Sequence, residues 1–183
     1  MKLKTIAAVI GSPVSQSLSP AIHNAAFTQM SKPWRYVAID VDAEYFEEEV
    51  LAARESGMLG LSITMPHKDA AFALVQHRDE IAQRSGSVNT IIFDDAGTLR
   101  GANTDGDGCC DALVRGGATI EGSRAVVLGA GGTARAVVAA LGLRGAADIA
   151  IVNRTQSRAD EASECADVAR VGSESDIADA TLL

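Results

Sequence analysis

The sequence predicts an α/β fold, and two observations carry that prediction. Short apolar runs of strand type, at residues 5–10, 34–40, 59–63, 125–128 and 149–152, alternate with helix-forming stretches, the pattern of strands laid down in parallel with helices crossing between them. The second observation is the stretch 124–158. There Ala125-Val126-Val127-Leu128 turns through Gly129-Ala130-Gly131-Gly132-Thr133-Ala134 into a helix-forming stretch and returns as Ile149-Ala150-Ile151-Val152. Strand, glycine turn, helix and strand in that order make the unit of a Rossmann fold. The expected architecture is an N-terminal α/β domain with a mostly parallel sheet, residues 1–105, followed by the first part of a Rossmann domain, residues 106–183, with the boundary somewhere in 105–123.

In chain order, residues 5–10 read as a buried-type strand that stops at Gly11-Ser12-Pro13. The loop through Ser17 leads to Pro20, which suits a first helical position, so a helix is expected to about Met30 with Ser19 as its N-cap. A strand at 34–40 precedes an acidic helix at 43–56, ended by Gly57. Residues 59–63 form a third strand, and Thr64-Met65-Pro66-His67-Lys68 leads from it into an alanine-rich helix. A short helix at 80–84 comes before two strands, 88–94 and 98–103, joined as a hairpin by Asp94-Asp95-Ala96-Gly97. A helix at 105–115 then reaches Gly116-Gly117, and residues 118–123 lead into the glycine-turn unit.

Within that unit each small residue has a mechanical reason. Gly129 allows the tight turn out of the strand, Gly131 lets backbone come close to a pyrophosphate, and Ala134 keeps helix and sheet in contact. The N–H groups at the helix start, with the helix dipole, favour that anion. The end of the second strand carries Asn153 and Arg154, followed by Thr155 and Arg158. An NAD-binding chain usually has a carboxylate there for the ribose 2′-OH, whereas a guanidinium suits a 2′-phosphate, so these residues favour NADP. By residue type alone the two arginines would be solvated surface charges; their position after a Rossmann-like strand reverses that reading.

A chain of 183 residues with 47% hydrophobic and 22% charged residues can bury a core and is not disordered in composition. A formal net charge of −8 argues against nucleic acid as a general partner, so any anion must be held by local groups. Cys109, Cys110 and Cys165 provide no C-x-x-C pair and read as reduced thiols of a cytoplasmic protein. No segment approaches the roughly 18 apolar residues of a membrane span, and no membrane partner or metal site is expected.

Four polar clusters of the first domain lie at strand ends or just after them, where open α/β sheets hold ligands. They are Ser17 with Ser19, Thr64 with Lys68, Asn89 after Gly86-Ser87-Val88, and Asn103-Thr104-Asp105-Gly106. Gly11-x-Pro13 with Ser17-x-Ser19-Pro20, Thr64-Met65-Pro66-x-Lys68, Gly86-x-Val88-Asn89-Thr90, Asn103-Thr104-Asp105-Gly106, and the glycine turn with Asn153-Arg154-Thr155 resemble, in order and spacing, the shikimate dehydrogenase family. The resemblance covers essentially the whole chain, and five ordered motifs are specific where any one alone is weak.

The resemblance implies NADP-dependent interconversion of 3-dehydroshikimate and shikimate, a step of aromatic amino-acid biosynthesis, by a monomer or homodimer acting on a small molecule. It implies that Ser17 and Ser19 bind the substrate carboxylate, that Thr64 and Asn89 hold ring hydroxyls, and that Lys68 and Asp105 are the catalytic, substrate-contacting pair. The cofactor residues it implies are Gly129, Ala130, Gly131, Gly132, Thr133, Ala134, Asn153, Arg154, Thr155 and Arg158.

The chemistry is coherent on its own terms. Hydride delivery to a ketone builds negative charge on oxygen, which a proton donor such as Lys68 stabilises, while Asp105 can accept from a substrate hydroxyl and orient the lysine. Each residue also has a plainer reading. Lys68 reads as a solvated side chain, Asp105 before Gly106 as a helix N-cap, Ser17 as loop polarity and Ser19 as a cap. His67 reads as structural or surface, His23 as a helix-face residue and His77 as a loop residue.

Two departures from the family pattern stand out. Ser62 occupies a place where the family often carries Asn, shortening the reach of a polar group toward substrate. Family members also continue beyond Leu183, so only about the first half of the cofactor domain is expected, with an apolar sheet face left uncovered. The alternatives to the main reading are a quinate or mixed quinate/shikimate dehydrogenase, and a non-catalytic protein that binds shikimate without turning it over.

Overall fold

A computed structural model of the chain describes residues 4–183, and contacts divide it into two units. One ends at Arg78 and resumes over Val88–Ala102; the other comprises Asp79–Ser87 and Asn103–Leu183.

The strands of the first unit are β1 (Lys4–Gly11), β2 (Trp34–Asp40), β3 (Gly60–Ile63), β4 (His77–Arg78), β5 (Thr90–Phe93) and β6 (Leu99–Ala102), in the sheet order β2-β1-β3-β5-β6-β4. β1 runs parallel to both β2 and β3, as helical crossovers require. β5 and β6 form the expected antiparallel hairpin, and β5 is also antiparallel to β3. The sheet is of the expected mostly parallel α/β kind. His77, expected in a loop, instead pairs with Arg100 in the two-residue strand β4, too short to show any period in the sequence.

The helices of this unit are α1 (Ser19–Gln29), α2 (Phe46–Glu55) and α3 (Lys68–Leu74). Ser19 does not cap α1: Leu18 holds the cap position with no side-chain bond, and the Ser17 Oγ accepts from the Ser19 N–H at 3.3 Å. The acidic stretch begins with a 3-10 turn, Ala43–Tyr45, before α2, and Gly57 leaves that helix at φ 80°. In β1, Ala8, Val9 and Ile10 are successive buried residues, the continuous apolar run of a strand covered on both faces. Each fully buried Ile or Val contributes about 1.5–3 kcal/mol of transfer free energy.

The second unit contains α4 (Glu80–Ser85), α5 (Asp105–Arg115), β7 (Arg124–Leu128), α6 (Gly132–Leu143), β8 (Asp148–Val152), α7 (Gln156–Ser163) and β9 (Ala169–Val171). Its strands are parallel in the order β7-β8-β9, with Leu128 opposite Val152. Ala125 also bridges in parallel to Leu182. The Rossmann-type strand-helix alternation is therefore present, with β9 and the Leu182 bridge added beyond the elements read from sequence. α6 starts at Gly132, so Gly132, Thr133 and Ala134 form its first turn rather than a preceding loop.

The core of this unit is built on α6, where Ala136, Val138, Ala139, Ala140 and Leu141 are buried with Ile149 and Ile151 of β8 and Ile81 of α4. Ala134 is half-buried, and Ala136 two residues on is fully buried. A Cβ on Gly106 would collide with the carbonyl oxygen of Ala136, which explains why a residue without a side chain lies where α5 meets α6. Just past the end of α6, Arg144 bridges Asp107 of the first turn of α5 at 2.6 Å and Asp111 one turn on at 2.7 Å.

Candidate functional site

In the first unit, the loops that follow β1 and β3 are tied together at the carboxyl ends of those strands. The Thr64 N–H donates to Ile10 at 2.9 Å, carrying the ladder past β3, and the Ser12 N–H donates to the Met65 carbonyl at 3.0 Å. A Cβ on Gly11 would strike the Thr64 side chain and lie 2.9 Å from the Met65 carbonyl, so this close crossing requires glycine. The half-buried Ser17 and Ser19 sit in and just after the loop that leaves β1. The Ser17 N–H donates to Val14 at 3.0 Å, and the Val14 N–H to the Asp40 carboxylate at 3.2 Å.

Lys68 is the first residue of α3 and is half-buried, not fully solvated. His67, immediately before it, is buried: its Nε2 bonds the Val41 carbonyl at 2.7 Å and its ring stacks on Phe46 with centroids 4.8 Å apart. The structural reading of His67 therefore holds and the surface one does not. His23, on α1, stacks on Tyr36 with centroids 4.4 Å apart. Asn89 is fixed between two strands, its carbonyl accepting from Ile63 at 2.6 Å and its N–H donating to Ala102 at 3.0 Å. The Thr90 hydroxyl orients its amide by donating to Oδ1 at 2.8 Å. Ser17, Thr64, Lys68 and Asn89 thus all belong to the end of the sheet marked by the C-termini of β1 and β3. Ser62 is half-buried on β3. The Tyr36 phenol is pushed above its ordinary range by burial.

In the second unit, Asp105 is the first residue of α5, and Thr104 rather than Asp105 holds the cap position. The bonding oxygen comes from Asn103, whose Oδ1 accepts from the Asp105 N–H at 3.1 Å. Asn103 is buried and donates through Nδ2 to the Ser87 hydroxyl at 2.8 Å and the Ser87 carbonyl at 3.0 Å. Ser87 in turn donates to the Gly132 carbonyl at 3.2 Å. Asp79 caps α4 by accepting from Ala82 at 2.7 Å, and also accepts from the Asn103 N–H at 3.1 Å. This buried network has no local signature in the sequence, where Asn103 reads only as part of a motif and nothing marks Ser87 or Asp79 as its partners.

The glycine turn has the geometry a phosphate cradle needs. Gly129 sits at φ 109°, a conformation side chains disfavour, and its N–H donates to Val152 at 2.9 Å. Gly131 is the cap residue of α6, and a Cβ there would meet no atom within 4 Å, so the space over the helix start is open. The first N–H groups of any helix lack partners within it and point toward that space. At the end of β8, the Asn153 amide donates to the Thr155 carbonyl at 2.8 Å, turning the chain into α7, and Arg154, Thr155 and Arg158 are exposed. These residues fit a dinucleotide: backbone room for a pyrophosphate, and cations at the strand end for a ribose phosphate. Among the described residues there is no cluster able to hold a metal ion, and no helix long and apolar enough to cross a membrane.

Parallel strands, a glycine turn into a helix and an open helix start define the class: an α/β protein with a Rossmann-type unit. Residues 9–91 match the model of the shikimate dehydrogenase substrate binding domain, and residues 113–179 match that of shikimate / quinate 5-dehydrogenase. A shikimate dehydrogenase (NADP(+)) of Methanosarcina mazei is 45% identical over 158 residues, 86% of this chain and 56% of that protein. The crystal structure of shikimate 5-dehydrogenase from Listeria monocytogenes with shikimate and NAD superposes with a TM-score of 0.88 at 30% identity, covering 97% of this chain and 66% of the other. That of the Thermus thermophilus enzyme with NADP(H) and shikimate gives 0.82 at 38% identity, covering 91% and 63%. The chain belongs to the shikimate dehydrogenase family. It spans 56% of the length of its Methanosarcina relative.

Proposed function

We propose that the protein interconverts 3-dehydroshikimate and shikimate with NADP, and that residues 1–105 serve the substrate while residues 106–183 serve the cofactor. The observation that carries this reading is the placement of Ser17, Thr64, Lys68 and Asn89 at one end of one sheet, in a chain of this family. Bound NADPH would supply the hydride. Ser17 and Ser19 offer two hydroxyl donors for a carboxylate, and Thr64 and Asn89 offer groups that both donate and accept, as ring hydroxyls require. Lys68 donates a proton or its charge to the developing alkoxide, and the Asp105 carboxylate accepts from a substrate hydroxyl. Gly129, Ala130, Gly131, Gly132, Thr133 and Ala134 serve the pyrophosphate, with Asn153, Arg154, Thr155 and Arg158 at the ribose phosphate. A cytoplasmic location belongs to the same proposal.

Turnover of shikimate and of quinate, each with NADP+ and with NAD+, tests the reading. The shikimate–NADP+ pair should be fastest. A quinate preference would assign the protein to the quinate branch, which the second family model also covers. Binding of shikimate without turnover in any pair would make it a binding protein.

A further inference from the structure

Within the second unit, the residue that opens α5 and the second residue of α6 are in direct contact. The Thr133 hydroxyl donates to Oδ2 of Asp105 at 3.1 Å, while the Asp105 N–H is held by Asn103 Oδ1 at 3.1 Å. The two helix starts cannot drift apart easily. Gly106 lies against the Ala136 carbonyl with no space for a methyl group, and Ser87 ties buried Asn103 to the Gly132 carbonyl. Backbone and carboxylate of Asp105 are thus fixed by separate groups, both leading to the first turn of α6.

We propose that Thr133 is a positioning residue for Asp105, and so for the substrate, in addition to lying on the cofactor turn; this rests on the reading above that Asp105 holds a substrate hydroxyl. A carboxylate joined to its helix by a short side chain can rotate, and a hydroxyl donor on one oxygen selects the rotamer that presents the other. Thr133 has one proton to give. Its donation to Asp105 places that proton on the substrate side of the chemistry, where a residue serving only a pyrophosphate has no reason to direct it.

The test is shikimate binding to the cofactor-free intact protein, by calorimetry, for the parent, Thr133→Val and Thr133→Ser. Valine keeps the shape and removes the hydroxyl; serine keeps the hydroxyl. Losing the selection of one Asp105 rotamer among about three predicts a Kd for shikimate about 3- to 5-fold weaker in Thr133→Val, and serine should stay within about 1.5-fold of the parent. Unchanged shikimate binding in Thr133→Val overturns the proposal, whatever happens to NADP+ binding. Equal weakening in both variants also overturns it, since a packing disturbance would not be rescued by the hydroxyl. If the parent itself binds no shikimate, the functional reading fails, an outcome distinct from either of these.

Discussion

The Nε2 of His67 lies 2.7 Å from the carbonyl oxygen of Val41, and the imidazole is buried against Phe46. A histidine beside the proposed catalytic Lys68 is therefore committed to holding the loop between β3 and α3, in which Thr64 also sits. His67→Ala removes a buried ring and leaves the Val41 carbonyl without that partner. Cavity and lost hydrogen bond together predict a destabilisation of about 3–5 kcal/mol, measured by urea unfolding. A variant as stable as the parent would contradict the structural role.

Arg154 is exposed at the end of β8, where a ribose 2′-phosphate is proposed to bind. Arg154→Gln should weaken NADP+ binding about 10-fold, the cost of one charge-assisted interaction, and leave NAD+ binding nearly unchanged. Equal loss for both cofactors would remove Arg154 from phosphate recognition.

The three cysteines differ in access. Burial pushes the Cys110 thiol up to about 11, with Arg144 opposing the shift, and raises Cys165 as well, whereas Cys109 is half-exposed. Thiolate is the reactive form, so an aromatic disulfide reagent at pH 8 should modify Cys109 first and reach Cys110 and Cys165 only as the chain unfolds. Three equally fast thiols in the folded protein would contradict this packing.

Asp176 is held down from its ordinary 3.8 to about 2, first by the Arg170 guanidinium at 2.6 Å and then by the Ser173 backbone N–H. Arg170 also bonds Asp148 at 2.8 Å, joining β9 to β8. A carboxylate depressed in the folded state contributes stability above its unfolded value and loses it as pH falls through the folded one. Stability of the parent relative to Asp176→Asn should therefore shrink between about pH 4 and pH 2. A difference independent of pH over that window would exclude the ion pair as its cause.

Much of this organisation is legible in the residues, for physical reasons that vary by element. β1, β7 and β8 are long apolar runs bounded by turn residues, and Pro20, Gly57 and the Asp94-to-Gly97 turn mark boundaries the backbone obeys. β4 and β9 have two and three residues, too few for any period, and exist because a neighbouring strand offers hydrogen bonds. Local capping rules place a cap on Ser19 and allow one on Asp105. In the fold the bonding oxygens come instead from Ser17 and Asn103, each two residues earlier. The Asn103–Ser87 link spans 16 residues, and the Thr133–Asp105 link spans 28. Neither has a local signature, so the motifs identify the residues of the candidate site but not the partners that hold them.

The most direct test of the proposed chemistry is steady-state oxidation of shikimate by NADP+, with intact protein and its Lys68→Ala variant compared at saturating substrates. If Lys68 serves the proton on the reacting oxygen, turnover falls by roughly 10²-fold or more while the variant remains folded. A near-normal turnover number in Lys68→Ala would contradict that role and the catalytic site proposed around it.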